Sequence, residues 1–392
     1  MVACRGGIVK TELPGDVRAE AVARELRQRL PLLETCVALN HAGISPQPES
    51  RSIAEFEESR ARLLPGEGLA RFSGVRDEIR RLYAELLHVS PAEIAVTRHT
   101  AEGVNLIAQG FPWRQGDRIL TVSVEYPSNV YPWWNLRDRG VEVVPVPERE
   151  GRVDLDEFVG AIDERVRMVA ISHVEFASGF CFDLARISDA CRACGAFLFV
   201  DIAQSIGILP IDLGLVDAAA WPTWKWLMGP IGMGGLYVAA KRLESIRPAF
   251  VGSDGMVPTA DYLDYRFEFR PDAGRFEYST ENVLGLIGVA EALRRFTPLF
   301  ANDAADAAAC RVWKLGDTMT GRLEERGFRL YSSRRPGERS GIFSFVTPGN
   351  PAQTAARLRR SGIEVAVRSG RLRISPHFYN NDGDIERLLA AL

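Results

Sequence analysis

Only four of the 48 basic residues are lysines: Lys10, Lys225, Lys241 and Lys314. The others are arginines, which hold charge but cannot be deprotonated in a protein and so cannot form an imine. Any amine nucleophile is therefore one of four residues. Lys10 lies in a polar N-terminal segment, Lys241 (AAKRLESIRP) at a solvated helix start, and Lys314 (RVWKLGD) on a helix surface. Lys225 stands between Trp224 and Trp226 in AAAWPTWKWLMGPIGMGG. An ammonium in that setting is partly desolvated, which lowers its pKa and frees the amine for attack. A lysine snorkelling at a core edge would have the same neighbours.

Three further elements carry chemistry. The apolar strand Ala196–Val200 ends in Asp201, within FVDIAQS, and Gln204 follows. A carboxylate at the end of a buried strand is costly unless a cation meets it, and Lys225 lies 24 residues on, after the next strand. A helix-capping Asp with an unrelated Lys is the plainer reading. In AVTRHTAEGVNLIAQG a strand ends at Thr97 and a helix begins near Ala101. A helix N-terminus suits phosphate, and Thr100 is placed as a phosphate ligand or an ordinary N-cap. VEYPSNVYPWW sets Tyr126 at another strand end, where it can lie on a flat ligand or pack in a core. A lysine amine, an acid, a phosphate cup and a stacking aromatic together describe pyridoxal 5′-phosphate, which needs each of them.

The elements that must position these residues are legible. Between about residues 70 and 240, the segments EIAVT, RILTVSV, VEVVPV, RMVAIS, AFLFVD, DAAAW and GGLYVA read as strands. Several are apolar throughout, as parallel strands covered on both faces are, and helical patterns such as EGVNLIAQGF and ISDACRACG separate them. That alternation is the signature of an α/β domain with a mostly parallel sheet, whose ligands gather at the carboxyl ends of the strands. A long helix is expected from Asp303 to Arg326, followed by GFRLYSS, GIFSFVT, the helix PAQTAARLRRSG, the strands EVAVRS and RLRISP, and the helix DGDIERLLAAL. This predicts a large domain at residues 36–290 and a small α+β domain combining residues 1–35 with 291–392.

Composition narrows the class. The chain is 46% hydrophobic and 25% charged with a net charge of −3, which excludes disorder and gives no basic footprint for nucleic acid. No apolar run is long enough for a membrane span, and MVACRGGIVKTELPGD lacks the apolar core of a signal peptide, so a cytoplasmic protein is expected. Cys191 and Cys194 form a CxxC without a second pair or histidine cluster, so no metal site is expected.

The whole pattern, from LNHAGISPQP to SPHFYNNDGDIERLLAAL, resembles the class-V aminotransferase family of fold-type-I pyridoxal-phosphate enzymes, a group that includes cysteine desulfurases, selenocysteine lyases, kynureninases and isopenicillin-epimerase-like proteins. VDIAQSIGILPIDLGLVDAAAWPTWKWLMGPIGMGGLYV is similar to the family's cofactor-lysine signature. The resemblance implies that Lys225 holds the cofactor, Asp201 pairs with its ring nitrogen and Gln204 bonds its phenolic oxygen. It implies phosphate binding by Thr100, Ala101 and, in place of the usual serine, Thr223, with Tyr126 stacked on the ring. FEYSTENVLGLIG resembles a segment that crosses a homodimer interface, so that Thr280 would reach the neighbouring subunit's phosphate. Arg373 matches the arginine that grips the substrate's α-carboxylate, with Asn40 and His377 as further substrate-side candidates. His173 is a candidate catalytic residue beside the cofactor, with a structural role as the alternative.

Some positions depart from the family. Trp224 stands where a histidine is frequent, and Phe176, in SHVEFASG, where desulfurases carry asparagine. Desulfurases also carry a cysteine on a loop between the last two small-domain strands; here EVAVRSGRLRIS passes through Ser369 and Gly370 with neither loop nor cysteine. The implied function is a pyridoxal-phosphate enzyme acting on an amino acid, most simply by β-elimination of a sulfur or selenium group without a protein persulfide. Aminotransfer, epimerisation and decarboxylation stay open, as does a catalytically idle cofactor-binding protein.

Overall fold

The computed structural model describes residues 14–392 apart from residues 49, 262, 281 and 301–303; Lys10 and Asp303 lie outside the described residues. All seven apolar segments of the large domain form strands: β1 (Ile94–Thr97), β2 (Arg118–Val122), β3 (Glu142–Val146), β4 (Val166–Ser172), β5 (Phe197–Asp201), β6 (Ala218–Pro222) and β7 (Gly234–Val238). They build one sheet in the order β1-β7-β6-β5-β4-β2-β3. Every pairing is parallel except those of β7, which runs antiparallel to both β1 and β6.

Alternation along the strands feeds two cores. Met168, Ala170, Phe197 and Phe199 belong to one apolar cluster, and their neighbours Val169, Ile171, Leu198 and Val200 to the other. Successive side chains point to opposite faces, so a strand covered on both sides is apolar at every position. Only the edge strand β3 is largely accessible.

A second, smaller sheet of four strands is built from β8 (Arg329–Leu330), β9 (Phe343–Val346), β10 (Ala366–Arg368) and β11 (Arg371–Ile374), in the order β8-β9-β11-β10. The N-terminal helix Pro14–Gln28 packs on the helix Ala304–Glu324. The short strand Val37–Ala38 pairs with Ile363–Glu364, and Asn40 bridges to Ser375, so residues 37–40 join the C-terminal part of the chain.

The sequence reading did not name the helices Arg51–Arg62, Val75–Leu87 and Val283–Phe300, and the last is the longest of the three. Val283–Phe300 precedes the expected long helix and packs against Val75–Leu87. It is buried around most of its circumference, so it lacks the one-sided apolar period that marks a surface helix. Among the described residues no helix is long and apolar enough to cross a membrane.

Candidate active site

The carboxyl ends of β1, β2, β4, β5 and β6 open into a cavity of about 350 Å³. Its lining includes Thr100, Ala101, Tyr126, Asp201, Gln204 and Lys225, so six of the candidate residues converge there from four separate segments.

Asp201 ends β5 and is 3% exposed. Its carboxylate accepts the Ala203 N–H at 2.8 Å, and its carbonyl accepts the His173 N–H at 2.8 Å. Burial pushes the carboxyl pKa up to about 6, with the Lys225 ammonium and the Ala203 N–H pulling the other way. Lys225 follows β6, on a turn in which Met228 donates its N–H to the Lys225 carbonyl at 3.0 Å. Its Nζ lies 5.3 Å from the centre of the Tyr126 ring. Burial lowers the ammonium pKa to about 8; Asp201 opposes this, and the positive charges of Arg373 and Arg368 add to it.

The turn is held from behind. Trp226 donates its indole N–H to Gln204 Oε1 at 2.9 Å, and Gln204 Nε2 donates to the Ala42 carbonyl at 2.9 Å. An amide nitrogen has two protons, so Gln204 keeps one for the cavity. His377 bonds the Trp226 carbonyl through Nε2 at 2.8 Å and packs with the rings of His41, Trp226 and Tyr379. It is fully buried outside the cavity lining, and burial holds its imidazole well below the ordinary range.

The helix Thr100–Gly110 aims its N-terminus at the cavity. His99 is the N-cap, its Nδ1 accepting the Glu102 N–H at 3.0 Å. Gly103 lets this helix lie close to the sheet: a Cβ there would stand 2.7 Å from the Ala220 Cβ.

Arg373 lies behind the wall formed by Phe176. It is 1% exposed and donates to the Phe176 carbonyl at 2.8 Å and to Asn40 Oδ1 at 3.2 Å. Its Nε has no partner, and no acid pairs with it among the described residues. Burial, then the charge of Arg368, lowers its pKa to about 9, so it stays cationic at neutral pH. A buried guanidinium without a counter-ion is costly, and an incoming carboxylate relieves that cost.

The remaining candidates lie elsewhere. The His173 ring sits outside the lining, its Nε2 3.4 Å from Cys181 Sγ and its Nδ1 unpartnered. Burial pushes the imidazole down to about 4 and the thiol up to about 12, so both are neutral. The Thr223 hydroxyl lies against the carbonyls of Pro230 and Met233, at 2.6 and 3.0 Å, and closes its own turn instead of facing the cavity. Thr280 is exposed and outside the lining. A groove of about 600 Å³ beside Val75 and Val283 is larger, but its arginines are already paired, Arg76 with Asp254, Arg80 with Glu277 and Arg270 with Asp272.

Sequence reasoning passed over His99, Ser128 and Ser172, which line the cavity, and Glu125, which accepts the Ser172 hydroxyl at 2.7 Å. Each had a signal: Ser172 ends a buried strand, Glu125 precedes Tyr126, and His99 precedes the helix. Burial raises Glu125 to about 7. Glu175, fully buried with both oxygens unpartnered, is raised well above its ordinary value by burial and then by Glu125.

The model for class-V aminotransferases matches residues 69–388. A probable cysteine desulfurase from Methanothermobacter thermautotrophicus is 31% identical, over 93% of this chain and 96% of that protein. Among solved structures, the apo cysteine desulfurase from Thermococcus onnurineus superimposes with a TM-score of 0.82 at 23% identity, covering 98% of both chains. The cystine C–S lyase C-DES, in complex with its product cysteine persulfide, superimposes with a TM-score of 0.84 at 23% identity, covering 92% of this chain and 98% of that one. At these identities the two structures establish the shared fold.

Proposed function

This chain belongs to the class-V aminotransferases, and from that premise we propose that it is a pyridoxal-phosphate-dependent C–S lyase acting on a cysteine-derived amino acid. The observation that carries the reading is the Lys225 amine, poised near neutrality in the same cavity as a buried acid. The relatives point to sulfur substrates: one is a probable cysteine desulfurase and a structural neighbour is a cystine C–S lyase.

The donor set fits the cofactor. Lys225 supplies the amine that holds it, Asp201 a buried carboxylate for the protonated ring nitrogen, and Tyr126 a ring to cover it. Thr100, the Ala101 N–H and the helix dipole suit its phosphate. When bound, pyridoxal phosphate supplies an electron sink for the pair left by a broken bond at the amino acid's α carbon. Arg373 and Asn40 hold the α-carboxylate, which fixes the face of the amino acid turned toward Lys225. With the amino acid in place, the free Lys225 amine would be the base that takes the α proton, its lowered pKa matching that task. His173 and His377 act as positioning residues, the first through the Asp201 backbone and the second through Trp226.

Elimination is favoured over sulfur capture by what the cavity lacks. None of the free cysteines Cys36, Cys181, Cys191 and Cys194 lines it. Cys181 is a neutral buried thiol, and the hairpin after Arg368 has only Ser369 and Gly370 as its turn. Thiolate, not thiol, is the sulfur nucleophile. Incubation with cysteine and with S-methylcysteine is expected to release pyruvate and ammonia. Alanine with a protein-bound persulfide would make the protein a desulfurase, and a keto acid without ammonia release would make it an aminotransferase.

A homodimer belongs to the same proposal. Thr280 is exposed, and the preceding segment leaves Leu263, Tyr265 and Phe267 more than 70% exposed, which suits burial against a second copy. Light scattering reads that state. The large domain at 36–290 and the small domain at 1–35 with 291–392 are proposed as the units between which the site lies.

A further inference from the structure

The face of the small sheet nearest the cavity carries three arginines. Register pairs Ala366 with Arg373 and Arg368 with Arg371 across β10 and β11. Residues directly opposite share a face, as do residues two apart on one strand, so Arg368, Arg371 and Arg373 project from the same side. They grade outward, Arg373 being buried and the other two half-buried at the hairpin end. The turn is as short as a hairpin allows, with Ser369 at φ 48° and Gly370 at φ 71°, the left-handed pair that a two-residue turn requires.

None of the three has a carboxylate partner among the described residues. Arg368 donates to the neighbouring Val367 carbonyl at 2.8 Å. Arg371 lies 3.7 Å over the Tyr331 ring, whose hydroxyl donates to Glu148 at 2.8 Å. Like charges opposite one another on a sheet are destabilising, so the arrangement carries a cost that an anion removes. Arg371 is already committed to an aromatic face, whereas Arg368 is not, and the charge of Arg368 acts on both Lys225 and Arg373.

We propose that Arg368 recognises a second anionic group of the substrate, beyond the α-carboxylate held by Arg373. The preferred substrate is then an amino acid whose side chain carries a carboxylate or a sulfur oxyanion. Arg368 and Arg373 are diagonal neighbours across β10 and β11, a relation that spans roughly 7–8 Å and suits anionic groups at the two ends of a substituted cysteine. The inference rests on the reading of Lys225 and Arg373 given above.

The test is an equilibrium titration of the cofactor-loaded protein, followed by its visible spectrum. The probes are S-carboxymethylcysteine, cysteine sulfinate and the singly charged S-methylcysteine. One charge-assisted contact predicts that the doubly anionic probes bind about tenfold tighter than S-methylcysteine. In Arg368→Gln that ratio falls toward one, and in Arg368→Lys it is intermediate. Preference for the carboxymethyl compound over the sulfinate, or the reverse, identifies the anion. Equal affinities in the unmodified protein, or an unchanged ratio in Arg368→Gln, would overturn the proposal. So would a loss of dimer mass in Arg368→Gln by light scattering, which would assign Arg368 to an acid of a second copy. A protein that takes up no cofactor, or whose spectrum no amino acid moves, would sink the reading of Lys225 and this inference with it.

Discussion

The two sheets that flank the cavity, beneath and behind its lining, are built on opposite electrostatic plans. The strand ends of the large sheet gather acids: Asp201, Glu125 and Glu175 are all buried and all raised. The small sheet gathers arginines, Arg373 and Arg368, without a carboxylate between them. Pairing these acids with these arginines across the cavity would have neutralised both sides. Instead the Asp201 charge is met by Lys225 and the Arg373 charge by neutral oxygens only, so each side keeps capacity for an opposite charge brought by a ligand. One side is thus suited to a cationic ring nitrogen and the other to carboxylates.

The comparison breaks most visibly at Arg373. Arg373→Ala is expected to raise KM for amino acids about a hundredfold, the loss of two charge-assisted hydrogen bonds, with a smaller effect on kcat. An unchanged KM would remove the small sheet from substrate binding.

A smaller effect sharpens the same contrast. In cofactor-free protein, acylation of Lys225 should rise with pH through about 8, because only the unprotonated amine reacts and burial disfavours its charged form. Asp201→Asn removes the charge that favours the ammonium, so the midpoint moves down by about one unit. Arg373→Ala removes a charge that disfavours it, so the midpoint moves up. Shifts of the same sign from both variants would mean that the two sheets do not act on Lys225 in opposite senses. Peptide mapping at each pH provides the measurement.

How much of this was legible in the sequence divides along similar lines. The seven strands of the large sheet were readable because burial on both faces leaves long apolar runs, Met168–Ile171 in β4, Phe197–Val200 in β5 and the whole of β6 and β7. Lys225 and Asp201 were readable because a lone lysine among tryptophans and an acid ending an apolar strand both violate the local pattern. The helix Val283–Phe300 was not, because burial around most of its surface erases the helical period. The arginine face was hidden for a different reason. Arg368, Arg371 and Arg373 are three among 44 arginines, and only the pairing register puts them side by side. Thr223 and His377 illustrate the converse: their spacing from Lys225 and Arg373 fitted a ligand role, but the Thr223 hydroxyl bonds its own turn and the His377 ring supports Trp226. Spacing fixes neighbourhood, while the direction of a side chain follows from backbone geometry that short-range patterns do not encode.

The central claim is that Lys225 is the residue that holds pyridoxal phosphate. Of the other lysines among the described residues, Lys241 lies 3.5 Å from Asp217 and Lys314 is exposed on its helix; neither lines the cavity. Loading the protein with the cofactor, reducing it with borohydride and mapping the peptides fixes a pyridoxyl group on whichever lysine held it. The account predicts a single modified peptide containing Lys225, and none from Lys225→Ala treated in the same way. Modification at Lys241, Lys314 or Lys10 in the unmodified protein, or no incorporation at all, would contradict it.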